Sequence, residues 1–319
     1  MPSDKRSGEA ATVKMSELKG RPVSIVEMGP RDGLQNETTQ LSAAVKAGLV
    51  DRLAASGLQR IETGSFVSPK WIPQMADSAE VFAGITRLPG VRYSALTPNM
   101  QGFERAVQAG ADEVAVFAAA SELFSQKNIN CSIRESIQRF TEVCAAARDA
   151  GIPVRGYVSC AMGCPYQGEV PADDVAMAVR ELMALGCYEV SIGDTIGTGT
   201  PQQVHEVLSR CLQETSAGQL AMHFHDTYGQ ALANIVAGLQ LGLNTIDASV
   251  AGLGGCPYAQ GASGNMATED VIYLLHGLGM VTGVDLSRLI DTSHWICSQL
   301  GRQNQSKVAL AGLPVARGL

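Results

Sequence analysis

A repeat of short strand, longer helix and closing glycine occurs about eight times along this chain, and it constrains the fold more than any other feature. Apolar, β-branched runs alternate with helical patterns, and several helices end in Ala-Gly, Ser-Gly or Leu-Gly just before the next strand. Glycine directly after a helix adopts the left-handed conformation that ends it. The glycines in this position are Gly57, Gly110, Gly151, Gly186 and Gly242.

Eight parallel strand–helix units predict an α/β fold of the (β/α)₈ TIM-barrel type. A doubly wound open sheet is the alternative, and the number of units favours the barrel. The predicted strands are 23–28, 60–64, 91–96, 113–117, 154–159, 189–193, 220–225 and 245–250. The predicted helices include 42–55, 132–150, 173–185, 201–213, 230–241 and an additional C-terminal helix at 285–301.

The length of 319 residues suits one barrel with a short extension, and no linker divides the chain. We expect a flexible N-terminal segment at 1–20, a single barrel domain with its C-terminal helix at 21–302, and a loosely ordered tail at 303–319. The net charge is −7 with both signs scattered, so we expect neither nucleic acid nor membrane as a partner. The longest apolar run, 114–120, is too short to span a bilayer.

The eight cysteines are spread out, and no C-x-x-C pair occurs. Residues 1–20 are polar and contain acidic side chains, unlike a secretory or organellar targeting segment. We therefore expect reduced thiols in a cytoplasmic protein.

Most of the unusual polar residues fall where predicted strands end, and active sites of these barrels lie at that rim. His223 and His225 are two apart on a strand, so both side chains face the same side. With Asp32 they form a three-ligand set without thiolate, which favours Mg²⁺ or Mn²⁺ over Zn²⁺. The alternative is one core histidine and one surface histidine. The other rim residues are Arg31, Glu62, Ser65, Ser191 and Asp194.

Several of these residues have more than one possible role. Arg31 would hold substrate beside the metal, or would form a surface salt bridge with its neighbour. Glu62 and Asp194 would each act as general base or orient a histidine. Cys256 lies in the glycine-rich segment 252–265, which can close over substrate, and its thiol would transfer a proton or act as nucleophile. No lysine lies on a predicted strand, which argues against a Schiff-base aldolase.

Five motifs, in this order along the chain, resemble the 3-hydroxy-3-methylglutaryl-CoA lyase family from about residue 23 to 300. They are GPRDGLQNE (29–37), SFVSPKWIPQMAD (65–77), GDTIGTGTP (193–201), HFHDTYGQALAN (223–234) and GLGGCPYAQGASGNMATED (252–270). The resemblance implies metal-assisted cleavage of the acyl-CoA substrate 3-hydroxy-3-methylglutaryl-CoA into acetyl-CoA and acetoacetate. That reaction belongs to leucine degradation and ketone-body metabolism.

The resemblance also implies roles for individual residues. Asn265 would join Asp32, His223 and His225 as a ligand of Mg²⁺ or Mn²⁺. Arg31 would stabilise the enolate of acetyl-CoA, Cys256 would transfer a proton, and Glu62 and Asp194 would be catalytic or supporting carboxylates. The base that deprotonates the substrate hydroxyl is either Asp194 or His223.

The substrate contacts are expectations from placement at the rim. Ser65 and Ser191 would contact the substrate, and the rim after strand 4, at Ser121, Lys127 and Asn128, would contact coenzyme A. A homodimer is implied by the resemblance. Some family members carry a cysteine near the C-terminus that bridges subunits, but the last cysteine here is Cys297, so we expect no such disulfide. A related Claisen-type synthase is the alternative, and the Cys-Pro-Tyr of the glycine-rich segment favours the lyase.

Overall fold

Eight parallel strands close into a barrel in the structure, a computed structural model that describes residues 12–255 and 264–313. Each strand pairs with the next, and the last closes on the first with Ser24 beside Thr245. The predicted (β/α)₈ barrel is therefore confirmed. The strands are β1 Ser24–Glu27, β2 Arg60–Ser65, β3 Arg92–Leu96, β4 Glu113–Ala119, β5 Val154–Ser159, β6 Glu189–Asp194, β7 Leu220–Phe224 and β8 Thr245–Ala248.

Helices cover the outside of the barrel, and their apolar faces pack on the strands in one large core. The predicted C-terminal helix is confirmed as α10, with Asp285 capping its N-terminus and Gly301 ending it in the left-handed conformation. The helices are α1 Ala43–Ala55, α2 Ser78–Gly84, α3 Met100–Gln108, α4 Glu122–Ile129, α5 Ile133–Asp149, α6 Ala172–Ala184, α7 Pro201–Cys211, α8 Ala231–Gln240, α9 Thr268–Gly277, α10 Leu286–Leu300 and α11 Lys307–Ala311.

The five glycines predicted to end helices all have positive φ angles. At Gly57 a side chain is excluded as well, because a Cβ atom would lie 2.3 Å from the Gly283 carbonyl oxygen. Glycine adopts this backbone conformation without the steric cost that other residues incur. These glycines determine where each helix ends and therefore where the chain turns toward the next strand.

The described parts of the segments outside the barrel contact the rest of the fold. At the N-terminal side, Leu18 is buried and the Val13 amide donates to the Gln240 carbonyl. The described part of the predicted loose tail, 303–313, contains α11 and packs on α9. Asp270 accepts hydrogen bonds from the Ser306 hydroxyl and the Val308 amide at 2.6 and 2.8 Å. A buried carboxylate needs such donors, and the tail supplies them.

The barrel interior is polar. Arg155 on β5 bonds Asp247 on β8 across the lumen, and both side chains are buried. A small apolar group that includes Met28 and Tyr157 lies apart from the main core. None of the helices in the described ranges is long and apolar enough to cross a membrane.

Candidate active site and metal centre

The turn after β1 presents Arg31 and Asp32 at the C-terminal rim of the barrel. Gly29–Gly33 forms a π-helical turn, in which the amides of Arg31 and Gly33 both donate to the Met28 carbonyl. Isolated π-helical turns are rare and occur frequently at functional sites. Gly33 is required for the turn to fit, because a Cβ atom there would lie 2.6 Å from Ser249 Oγ.

Asp32, His223 and His225 bring three possible metal-ligand atoms together. One nitrogen or oxygen from each side chain lies within 4.8 Å of the other two. His223 Nε2 is 3.9 Å from Asp32 Oδ2, and the two imidazole rings are 5.5 Å apart. Asn265 lies against this cluster, since its Nδ2 donates to Asp32 Oδ2 at 2.8 Å and its backbone forms a bridge with His225.

The chemistry of this cluster fits a divalent metal ion. His225 Nδ1 is buried and has no hydrogen-bond partner among residues 12–255 and 264–313, so it is free to bind a metal. Burial, together with neighbouring His223, lowers the pKa of His225 to about 4, so the ring is neutral near pH 7. Burial opposes ionisation of Asp32, but attraction by Arg31 and by the histidines lowers its pKa below the ordinary value. A neutral imidazole beside a carboxylate, as at His225, is the form that binds metal.

Arg31 is buried between two carboxylates and forms an ion pair with each. Its Nε lies 2.6 Å from Glu62 Oε2, and its Nη1 lies 2.6 Å from Asp32 Oδ1. Glu62 Oε1 and Ser65 Oγ are buried without a hydrogen-bond partner among the described residues. Buried polar atoms are almost always hydrogen-bonded, so these two atoms have unused hydrogen-bonding capacity.

Asp194 ends β6 and holds the loop that follows it. Its two carboxylate oxygens accept hydrogen bonds from the amides of Thr198 and Gly199 at 3.1 and 2.8 Å. Burial nevertheless raises its pKa to about 6. This carboxyl group therefore titrates near neutral pH while it also anchors the loop.

The structure adds residues that the sequence analysis missed. The hydroxyl of Ser191, which is predicted to contact substrate, donates to Asp247 Oδ2 at 2.8 Å. The same oxygen lies 3.3 Å from His223 Nδ1, and Arg155 pairs with both oxygens of Asp247. A charged residue in the middle of a buried strand requires a partner, and this signal would have identified both Arg155 and Asp247.

The three residues predicted to bind coenzyme A lie at α4. Ser121 is buried and caps this helix, and its hydroxyl is also 3.0 Å from both Cys164 Sγ and Gln167 Oε1. Its hydroxyl is thus occupied within the fold. Lys127 and Asn128 are exposed near the end of the helix.

Cys256 lies outside the described residues, but both flanks of its segment are described. A seam of buried acids holds these flanks. Glu27 accepts hydrogen bonds from the Val250 amide at 2.8 Å and from the Thr268 hydroxyl at 2.7 Å. Glu269 accepts from the Ala251 amide at 3.0 Å. Burial raises the pKa of Glu27 to about 7 and that of Glu269 to about 8, so neither behaves as an ordinary surface acid.

Fold and site together define a (β/α)₈ barrel enzyme with a cluster at its C-terminal rim that can hold a divalent metal ion. The HMGL-like family model matches residues 22–296, and the chain belongs to this family. It is 60% identical to the hydroxymethylglutaryl-CoA lyase, mitochondrial, of Gallus gallus over 289 residues, which are 91% of this chain and 97% of that protein.

Solved structures agree with this assignment. The hydroxymethylglutaryl-CoA lyase of Pseudomonas aeruginosa is 58% identical, with a TM-score of 0.90 over 92% of this chain and 98% of the other. An HMG-CoA lyase from Acinetobacter baumannii, solved in complex with coenzyme A and 3-methylmalate, is 36% identical, with a TM-score of 0.89 over 97% and 99% of the two chains.

Proposed function

We propose that this chain is a carbon–carbon lyase that cleaves 3-hydroxy-3-methylglutaryl-CoA into acetyl-CoA and acetoacetate. The observation that carries the proposal is the cluster of Asp32, His223 and His225 beside the buried Arg31–Glu62 pair. Relatives with this activity in their names are similar over nearly the whole chain. The acyl-CoA substrate agrees with the coenzyme A bound in the Acinetobacter structure.

We assign the metal to Asp32, His223, His225 and Asn265. The oxygen and imidazole ligands and the lack of a thiolate favour Mg²⁺ or Mn²⁺. A bound divalent ion polarises the substrate oxygens and lowers the pKa of the tertiary hydroxyl. Asn265 fits this set because Nδ2 is used by Asp32, which leaves its carbonyl oxygen as the donor atom for the ion.

Cleavage begins with loss of the proton from the C3 hydroxyl. As the C2–C3 bond breaks, the alkoxide becomes the ketone of acetoacetate and the bonding pair passes to the thioester as an enolate. Arg31 is buried and already held by Glu62, so its charge is oriented toward the developing enolate without reorganisation. Protonation of the enolate carbon then gives acetyl-CoA, and we assign this step to Cys256.

Two groups remain candidates for the first proton transfer. Asp194 has a raised pKa near 6, but loop amides occupy both of its oxygens. His223 presents Nε2 to Asp32 and binds Asp247 through Nδ1. Asp194→Asn and His223→Gln separate the two roles. Loss of the base slows bond cleavage while retaining the bound metal, whereas loss of a ligand releases the metal.

Ser65 is the substrate contact best supported by geometry, because its buried hydroxyl has no partner among the described residues. Lys127 and Asn128 remain our assignment for coenzyme A, on the basis of exposure near the rim. We also propose a homodimer, a place in leucine degradation and a cytoplasmic location. Size-exclusion chromatography with light scattering tests the first of these, and cell fractionation tests the last.

A direct assay tests the activity. The full chain is treated with a chelator, reloaded with Mg²⁺ or Mn²⁺, and given 3-hydroxy-3-methylglutaryl-CoA. We expect acetoacetate and acetyl-CoA in equal amounts, only when metal is present. Folded, metal-loaded protein that forms neither product would show that the proposal is wrong.

A further inference from the structure

A line of charged side chains, buried from Glu189 to Asp247, crosses the barrel interior and ends at His223. Arg60 Nη2 is 2.8 Å from Glu189 Oε1, which lies 2.7 Å from Arg155 Nε. Arg155 then pairs with Asp247 through both terminal nitrogens, at 3.0 and 2.7 Å. Asp247 Oδ2 lies 3.3 Å from His223 Nδ1. Asp247 therefore connects an anchored cation to the proposed metal ligands.

The hydrogen bonds of Asp247 determine whether its carboxyl group is protonated. Arg155 donates twice to it, and the Ser191 hydroxyl donates once at 2.8 Å. Bidentate guanidinium–carboxylate pairs are strong, and separation of this one would leave a buried charge without its partner. Asp247 is therefore a carboxylate, and a carboxylate has acceptors only. The ring nitrogen of His223 that faces it must carry the proton.

When the His223 ring carries a single proton, this contact fixes the proton on Nδ1. With the proton on Nδ1, the lone pair is on Nε2, which is the atom 3.9 Å from Asp32 Oδ2. A metal binds only the unprotonated ring nitrogen. His225 differs, because its buried Nδ1 has no partner within the described ranges 12–255 and 264–313. The two histidines of the H-x-H motif are thus supported in different ways.

We propose that Asp247, anchored by Arg155 and Ser191, is a positioning residue that sets the tautomer and ring orientation of His223 and thereby the affinity for the metal. The inference rests on the proposed function in one respect, that His223 is a metal ligand. Removal of the carboxylate partner of a ligating histidine typically costs about 10–100-fold in metal affinity or activity.

The tautomer is measured directly in the metal-free full chain. Long-range ¹H–¹⁵N correlation spectra of histidine-labelled protein distinguish a ring protonated on Nδ1 from one protonated on Nε2. The chain has five histidines, and a His223→Gln spectrum assigns the signal. We expect the Nδ1–H form in the unsubstituted protein and a shift toward Nε2–H in Asp247→Asn. An Nε2–H form in the unsubstituted protein would overturn the proposal, and that measurement requires no stable variant.

Metal affinity gives the second readout. Titration with Mn²⁺, followed by the EPR signal of the free ion, should give a dissociation constant about 10–100-fold higher for Asp247→Asn. Glu113→Gln is the matched control, because Glu113 is another buried carboxylate of the barrel and pairs with Arg92 at 2.9 Å, away from His223. We expect its affinity to change less than about twofold. Equal losses in both variants, or none in Asp247→Asn, would contradict the proposal.

Neither readout uses the acyl-CoA substrate, so the two proposals fail separately. Protein with the Nδ1–H form and strong Mn²⁺ binding, but no lyase activity, would refute the proposed function and support the role of Asp247. Active protein in which Asp247→Asn leaves the His223 tautomer and the Mn²⁺ affinity unchanged would support the proposed function and refute the role of Asp247.

Discussion

Asp32 at the rim of this barrel and the two acids of the seam are stabilised in opposite ways. At the rim, Asp32 faces the guanidinium of Arg31, and its pKa falls below the ordinary value despite burial. In the seam, Glu27 and Glu269 accept hydrogen bonds from backbone amides and hydroxyls. Burial raises their pKa values to about 7 and 8. Opposite charges outweigh burial at Asp32, which is partly exposed, but at the fully buried Glu62 the same Arg31 does not, and the pKa of Glu62 is raised.

This difference matches what each region does. The rim carries charged side chains beside the proposed metal site. Three buried polar atoms there have no hydrogen-bond partner within the described residues: Glu62 Oε1, Ser65 Oγ and His225 Nδ1. The seam fixes the backbone, because its acids accept hydrogen bonds from the amides of Val250 and Ala251, just before the segment 252–265. Substitutions at the rim should therefore reduce activity, and substitutions in the seam should change stability and its pH dependence.

The largest effect should come from a metal ligand. We expect His225→Ala to weaken Mn²⁺ binding by at least about 100-fold, since it removes an imidazole ligand that is buried in the cluster. Calorimetric titration of the metal-free protein measures the affinity. His205→Ala is the matched control, because His205 is exposed on α7. Unchanged Mn²⁺ affinity in His225→Ala would show that His225 is not a metal ligand.

A smaller but still large effect is expected for Arg31→Lys. Lysine keeps the charge, but its single ammonium group cannot bind both Glu62 and Asp32 and also donate a hydrogen bond to the enolate. We therefore expect kcat to fall about 10²–10³-fold. KM should change much less, because the charge acts mainly in the transition state. Steady-state kinetics with saturating metal measure both parameters. Arg180→Lys, at an exposed position of α6, controls for the substitution, and equal kcat values in the two variants would contradict the prediction.

We expect substitutions in the seam to change the pH dependence of the unfolding free energy rather than the turnover rate. A raised pKa in the folded state means that Glu269 contributes stability that is complete below about pH 4.5 and is lost as the pH rises to about 8. Each pKa unit corresponds to about 1.4 kcal/mol. The unfolding free energy should therefore fall between pH 5 and 8, and Glu269→Gln should flatten this fall.

Urea unfolding at several pH values measures this slope. Glu206→Gln is the control, because it makes the same chemical change at an exposed position of α7. A slope in Glu269→Gln as steep as in the unsubstituted protein would show that Glu269 is already ionised in the fold, and the contrast with the rim would disappear.

The smallest effect is expected at Lys127. This side chain is exposed, so an ion pair with a phosphate of coenzyme A contributes at most about 1 kcal/mol. Lys127→Ala should raise KM for the acyl-CoA about threefold at low salt and have no effect at high salt, where the charge is screened. Lys19→Ala, on the N-terminal side of the chain, is the control. A salt-independent change, or none at low salt, would argue against coenzyme A contact at α4.

Much of the fold could be predicted from the sequence because its signals are local. The strand Val154–Ser159 has the predicted bounds, and the five glycines with positive φ stand where helices were expected to end. The family was also predicted correctly, since the motifs that carry the resemblance are long and in order. Ser121 shows the limit, because a rim position did not reveal that its hydroxyl caps α4.

The sequence by itself determined which side chains stand at strand ends, because two-residue alternation and the strand–helix repeat place Asp32, His223 and His225 on one rim. Only the tertiary structure decided their partners. Arg155 meets Asp247 across 92 positions of chain, and Glu27 meets Thr268 across 241. Such contacts depend on closure of the barrel, and no local pattern contains that information. The ionisation state of each buried acid follows from its burial and from those partners, so it too was decided only in three dimensions.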